Sequence, residues 1–120
     1  MGLIIKAPLD SGMLGGDLMP GSALKADDPR ERWSEKQTAH RQRLLTELAF
    51  LTEGTGRNWA QASLQFVLSY DVVSTVIPGT TSIQHLEENA AAAGGRLSPE
   101  EMQRIQHLLG GTFADLNLGW

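Results

Sequence analysis

Two short runs of apolar, β-branched residues divide the chain, and helical periodicity fills most of the space between and after them. Gly2 to Ala7 is the first run, stopped by Pro8, and Val72 to Ile77 is the second, stopped by Pro78-Gly79. Each reads as a buried strand. Between them, Leu44, Leu48 and Leu51 fall at i, i+4 and i+7, marking a helix that starts near Asp28-Pro29 or Ser34 and ends at Gly54 and Gly56. Asn58 then caps a second helix, with Ala60, Leu64, Val67 and Leu68 on one face. After the second strand, Thr81 is placed to cap a third helix, with Gln84 completing a capping box, and Ala90 to Ala93 carry it to Gly94-Gly95. Ser98-Pro99-Glu100-Glu101 opens a fourth, whose Met102, Ile105, Leu108 and Leu109 share a face. Residues 9–29 read as a long loop and residues 110–120 as a tail without a period.

Strand, helices, strand, helices is the order of an α/β protein built from β/α units with a parallel sheet. Two strands with about four to five helices make the chain predominantly helical by residue count. Parallel strands are buried on both faces, and two strands bury each other on neither, so the pattern reads as part of something larger. A structureless loop as long as 9–29 is uncommon unless it has a task such as covering a ligand.

Composition fits one soluble, folded but partial domain over residues 1–120: hydrophobic residues are 41% and charged ones 20% of the chain. The net charge of −4 and the scattered Lys and Arg leave no basic stripe for a nucleic-acid backbone. Leu3-Ile4-Ile5 ends at Lys6, too short to cross a membrane or to form a signal-peptide core. Without cysteine the chain has no disulfide or thiolate metal site, which fits the cytoplasm. His40, His85 and His107 are too far apart for a metal-ligand motif and read as surface histidines.

The best place for chemistry is the junction Val76 to Ser82. Where a strand runs into a helix, unpaired amides and the positive end of the helix dipole attract an anion. Gly79 allows close approach, and Thr80, Thr81 and Ser82 add hydroxyls. His85, Glu88 and Asn89 follow at spacings that place them on the same helix face as Ser82, where Glu88 and Asn89 offer the acceptor and donor suited to an adenine edge. A capped surface helix with ordinary polar residues accounts for the same pattern.

Ile77-Pro78-Gly79-Thr80-Thr81 followed by Leu86-Glu87-Glu88-Asn89 resembles the last strand-to-helix segment of the aldo-keto reductase family. Leu3-Ile4-Ile5-Lys6-Ala7-Pro8-Leu9-Asp10-Ser11-Gly12 is similar to that family's seventh barrel strand and the loop after it. Asn58 to Leu64 resembles its seventh main helix, and Leu97 to Glu101 its C-terminal helix. The four stretches occur in the family's order and cover nearly the whole chain. The resemblance implies the C-terminal part of an eight-fold β/α (TIM) barrel, strand seven onward, in an NAD(P)-dependent oxidoreductase of aldehydes, ketones or sugars.

Carried over position by position, the resemblance implies that Leu9, Ser11 and Gly12 meet the cofactor's pyrophosphate. Thr80, Thr81 and Ser82 would surround the 2′-phosphate of NADP, and Glu88 and Asn89 would contact the adenine. Lys6 stands where many members place an aromatic ring against the nicotinamide. His85 stands where an arginine often clamps the 2′-phosphate, and a histidine, largely uncharged at pH 7, holds a dianion less firmly. That leaves NAD beside NADP as the cofactor. The family's catalytic Asp, Tyr, Lys and His come from the first four strands, and Tyr70, the one tyrosine here, matches none of them. Two readings follow. In one, the chain is the cofactor-gripping part of a reductase; in the other, it is an inactive stand-alone remnant that associates with itself or with another chain through exposed strand edges and apolar helix faces.

Overall fold

The computed structural model describes residues 1–15 and 34–114, apart from the side chains of Ser11 and Met13. Most of the expected long loop, its alternative helix start at Asp28-Pro29, Trp33 and the end of the tail with Trp120 lie outside the described residues. Among those described, two strands and four α-helices alternate in the expected order: β1 (Leu3–Lys6), α1 (Glu35–Glu47), α2 (Trp59–Leu68), β2 (Val73–Ile77), α3 (Ile83–Ala91) and α4 (Pro99–Gly110). The fold is α/β, and β1 pairs with β2 in parallel, Ile4 opposite Thr75 and Lys6 opposite Ile77.

Helix starts follow local hydrogen-bond chemistry. Ser34, Asn58 and Ser98 each accept from the amide three residues on, while Gln37, Gln61 and Glu101 reach back to the cap's own amide. Each such cap stabilises its helix by about 1 kcal/mol. The third helix departs from expectation. Its cap is Ser82, which accepts from the His85 amide at 3.4 Å, and Gln84 donates instead to Glu88 Oε1 at 2.9 Å. Gln84 lies only two residues beyond Ser82, inside the first turn, so its side chain is not in place to close a box on that cap.

The helix ends and faces also differ in part. α1 stops at Glu47, and Ala49–Leu51 continues as a 3-10 turn before Gly54 and Gly56, both at positive φ, reverse the chain. Asp10–Gly15, expected as loop, is another 3-10 turn. Along α4, Ile105 is buried and Met102 and Leu108 are half-buried, whereas Leu109 is exposed.

The core gathers on α2. Ala60, Ala62, Leu64 and Gln65 are all buried, so this helix is covered on more sides than the single face its spacing suggests. β2 packs on one side of it, α3 and the 3-10 turn Ala92–Gly94 on another, and the turn after β1 on a third. Leu51, Ala62, Leu97 and Ile105 form a cluster with Leu48, Phe50, Phe66 and Met102 around it. Burying Leu64 and Leu45, the largest fully enclosed side chains, contributes roughly 1.5–3 kcal/mol each. Gly95 lies so close that a Cβ there would come within 2.4 Å of Gln65 Nε2. From the end of α2, Ser69 Oγ accepts from the Leu97 amide at 2.9 Å and fixes the approach to α4.

The strands are not buried, contrary to the reading of their composition. Ile4 is 66% exposed, and Leu3, Val72 and Ile77 are also exposed. A two-stranded sheet leaves both outer edges and one face without neighbours, so β-branched composition here marks a surface fit for further strands.

Away from the sheet, Arg57 holds α4 to the start of α2. Its Nη1 donates to Glu101 Oε2 at 3.2 Å, and its Nη2 pairs with the other carboxylate oxygen. The guanidinium's hydrogen bond, with smaller help from the Ser98 amide and the bare charge of Arg57, lowers the Glu101 pKa against partial burial. A carboxylate so lowered stabilises the fold fully above its ordinary value of 4.5, and that contribution is lost as pH falls through the lower folded-state value. Glu101→Gln keeps an acceptor for the capping box. Its urea midpoint is therefore expected below that of the parent at neutral pH and to meet it in strong acid; a constant difference at all pH values would contradict the role of the charge.

Candidate functional site

Both strands run parallel, so the segments leaving them emerge at the same end of the pair. After β1 the chain passes Pro8 into the turn Asp10–Gly15, and after β2 it passes Pro78-Gly79 into α3. These two segments and the first turn of α2 enclose a cleft of about 780 Å³. The cleft is larger than the neighbouring one of about 460 Å³ between β2 and α3, and larger than an apolar one of about 240 Å³ beside Trp59. Its size lies within the range typical of small-molecule sites.

One wall comes from Leu9, Gly12 and Gly15. The facing wall comes from Gly79, Thr80 and Thr81, with His85, Glu88 and Asn89 one and two turns into α3. Ala60 forms part of the floor. Of the residues singled out in the sequence, the cleft lining thus includes all but Ser11 and Ser82. The Ser11 side chain lies outside the described residues, and the Ser82 hydroxyl serves as the α3 cap.

The rim is organised by short-range bonds. Thr80 Oγ1 accepts from the Ser82 amide and donates to the Ser82 carbonyl, both at 3.2 Å, which folds the loop over the start of α3. A side chain on Gly79 would meet no atom within 4 Å, so the open space before it is not filled by packing. The first turn of α3 holds no acidic residue, whereas α1 has Glu35 and α4 has Glu100 and Glu101 in theirs. Its dipole is therefore not offset locally, and its amide end faces the same space as Thr81 and His85.

Glu88 is more engaged than the sequence suggests. Oε2 accepts from Asn58 Nδ2 at 3.1 Å, Oε1 accepts from Gln84 Nε2 at 2.9 Å, and the Glu88 carbonyl accepts from Gln61 Nε2 at 3.3 Å. The cap of α2 therefore anchors the middle of α3. A carboxylate has about four acceptor positions, so Glu88 retains capacity toward the cleft. Sequence reading identified Asn58 as a cap but not this second bond, because the partner lies 30 residues away and carries no local signal. Gly15 and Ala60 were missed as well, being small residues without chemistry of their own.

Other side chains lie elsewhere. Tyr70 sits beyond the end of α2 with its ring edge-on to Phe66 at 5.5 Å between centroids. Trp59 is half-buried against the apolar cleft formed with Leu44, Leu48 and Phe113. Lys6 ends β1 opposite Ile77 and is exposed. Among the described residues no group of three or more His, Cys, Asp or Glu could hold a metal ion, and no helix is long and apolar enough to cross a membrane.

The description "Aldo/keto reductase family" belongs to a sequence model that matches residues 1–109. The chain belongs to that family. It is similar to an L-glyceraldehyde 3-phosphate reductase of Escherichia coli, 30% identical over 128 aligned positions that cover 98% of this chain and 36% of that protein. The aldo-keto reductase str7 of Strobilurus tenacellus is 28% identical over 88% of the chain and 32% of its own length. An uncharacterized oxidoreductase of Schizosaccharomyces pombe is 38% identical over 60 residues, which is 50% of the chain and 20% of that protein. The chain thus spans little more than a third of the length of these relatives, or less.

The double duty of Asn58 can be separated experimentally. Serine caps as well as asparagine but lacks the amide that reaches Glu88. Asn58→Ser is expected to lose less stability in urea unfolding than Asn58→Ala, by about 1 kcal/mol. Equal losses would mean that the cap contributes nothing and the Glu88 bond everything.

Proposed function

We propose that this stretch corresponds to the last two β/α units of an aldo/keto reductase barrel and grips the adenine and phosphate end of NAD(P)H. The observation that carries the proposal is the single cleft at the outgoing ends of both strands, which gathers Leu9 and Gly12 from one loop and Gly79 to Asn89 from the other. Ligands of β/α folds bind at that end, where loops and helix N-termini meet. The pyrophosphate would lie between the glycine-bearing loops, the 2′-phosphate by Thr80, Thr81 and His85, and the adenine along Glu88 and Asn89. Ser82 would act indirectly, by holding the α3 amides toward the phosphate, and the Ser11 backbone would belong to the pyrophosphate wall.

In a whole reductase the bound nicotinamide supplies hydride to the carbonyl of an aldehyde, ketone or sugar. The cleft residues would bind and orient the cofactor, and Tyr70, packed edge-on against Phe66, is not among the residues lining the cleft. We propose that the chain by itself binds the cofactor without reducing carbonyls.

Titration of the 120-residue chain with NADPH, followed by calorimetry, tests the proposal. Saturable binding is expected, and Gly79→Ala is expected to weaken it at least tenfold while leaving the thermal midpoint nearly unchanged, since a Cβ there meets no atom within 4 Å. Absence of saturation at millimolar NADPH would defeat the reading. In the same assay His85→Arg is expected to strengthen NADPH by about tenfold and NADH little, because the added charge-assisted bonds act only on the 2′-phosphate. Equal effects on both nucleotides would remove His85 from that subsite.

The exposed Ile4 and Ile77 of the strands and Ile83 and Leu86 of α3 favour a second, compatible reading, in which the chain associates through its open sheet and the apolar face of α3, with itself or with further barrel strands. A monomer mass of 13.0 kDa by sedimentation at every concentration would exclude self-association.

A further inference from the structure

The turn that makes one wall of the cleft is held in a shape its residues resist. Ala7 has φ 52° and Asp10 has φ 44°, both in the left-handed region, which disfavours residues bearing a Cβ. Such conformations persist where surrounding contacts over-determine them. Hydrogen bonds within the turn account for part of this: the Leu9 carbonyl accepts from the amides of Gly12 at 3.0 Å and Leu14 at 3.1 Å, and the Ala7 carbonyl from that of Asp10 at 3.3 Å. A further contact comes from outside. Arg41, in the middle of α1, donates from Nε to Asp10 Oδ2 at 3.1 Å, and the Arg41 side chain is only 4% exposed.

We propose that Arg41 is a positioning residue for the cleft, acting through Asp10 to latch the turn whose Leu9, Gly12 and Gly15 face the nucleotide. The inference rests on the cofactor reading above for its consequence, though not for its geometry. Arg41 does not line the cleft; Asp10 opens the turn, and Leu9 directly before it does line the cleft. A buried guanidinium to carboxylate bond is charge-assisted and directional, so it fixes where the turn sits as well as holding it down. Because Arg41 is not among the residues lining the cleft, the latch ties the cofactor wall to α1 without occupying the ligand side.

Native-state hydrogen exchange on the cofactor-free chain separates a latch from a general stabilising contact. Arg41→Gln and Asp10→Ala, which removes the carboxylate but keeps the Cβ that resists the left-handed region, are expected to speed exchange of the Gly12 and Leu14 amides about tenfold or more, with α2 amides unchanged. Asp10→Asn, which tolerates the left-handed region and can still accept from Arg41, is expected to recover most of the protection. NADPH should bind Arg41→Gln about tenfold more weakly. Exchange at Gly12 and Leu14 within twofold of the parent, or acceleration that runs in parallel through α2, would overturn the latch; should Arg41→Gln fail to fold, Asp10→Ala against Asp10→Asn decides by the same criterion. Failure of the parent chain to bind NADPH would sink the nucleotide reading alone, since the exchange rates judge the latch without cofactor.

Discussion

The burial of α2 on several sides is the constraint on which the other elements depend. A helix with Ala60, Ala62, Leu64 and Gln65 all buried has no solvent face to spare, so β2, α3, the Ala92–Gly94 turn and the turn after β1 must each take a fixed position around it. Small side chains make this possible. Ala60 and Ala62 let neighbouring backbones approach, and Gly95 is excused from any Cβ where Gln65 presses against it. The cleft follows from that arrangement, since its floor at Ala60 and its walls on either side are all positioned by the same helix.

Much of the architecture was legible because it rests on local signals. Both strands were marked by β-branched runs ending at proline, and the caps Asn58 and Ser98 by hydrogen-bonding side chains followed three residues later by Gln or Glu. What failed were inferences from one residue to surroundings the sequence does not list. A β-branched run reports that a strand is suited to a buried sheet; whether neighbours cover it depends on chains or segments elsewhere, and here Ile4 and Ile77 are open. Thr81 and Ser82 are equally able caps by type, and the choice fell to Ser82 because Thr80 bonds the Ser82 backbone and sets where the helix begins.

Most of the cleft lining was legible for a related reason. A strand, a glycine and a helix start in succession specify an amide-rich concavity by themselves, so Gly79 to His85 needed no tertiary information. Long-range partners did. Glu88 is tied to Asn58 across 30 residues and Arg41 to Asp10 across 31, and neither pair leaves a trace in spacing or composition. Polar residues in the cleft therefore divide into those that a local motif exposes and those that a distant one holds still.

That division bears on how the two walls can behave. The α3 wall is regular structure: a capped helix anchored to α2 by the Glu88 bonds, with the backbone of its first turn fixed by Ser82. The opposite wall is a short 3-10 turn with left-handed residues at Ala7 and Asp10, held among the described residues by its own hydrogen bonds and by the Arg41–Asp10 ion pair to α1. Left-handed residues with a Cβ occur in the second wall and not at Gly79 to Asn89, so the two walls differ in how much their backbones depend on outside contacts. An unstrained turn would need no ion pair from α1 to hold its shape. The burial of Arg41 against Asp10 is thus the counterpart, on the irregular side of the cleft, of the capping bonds that steady the regular side.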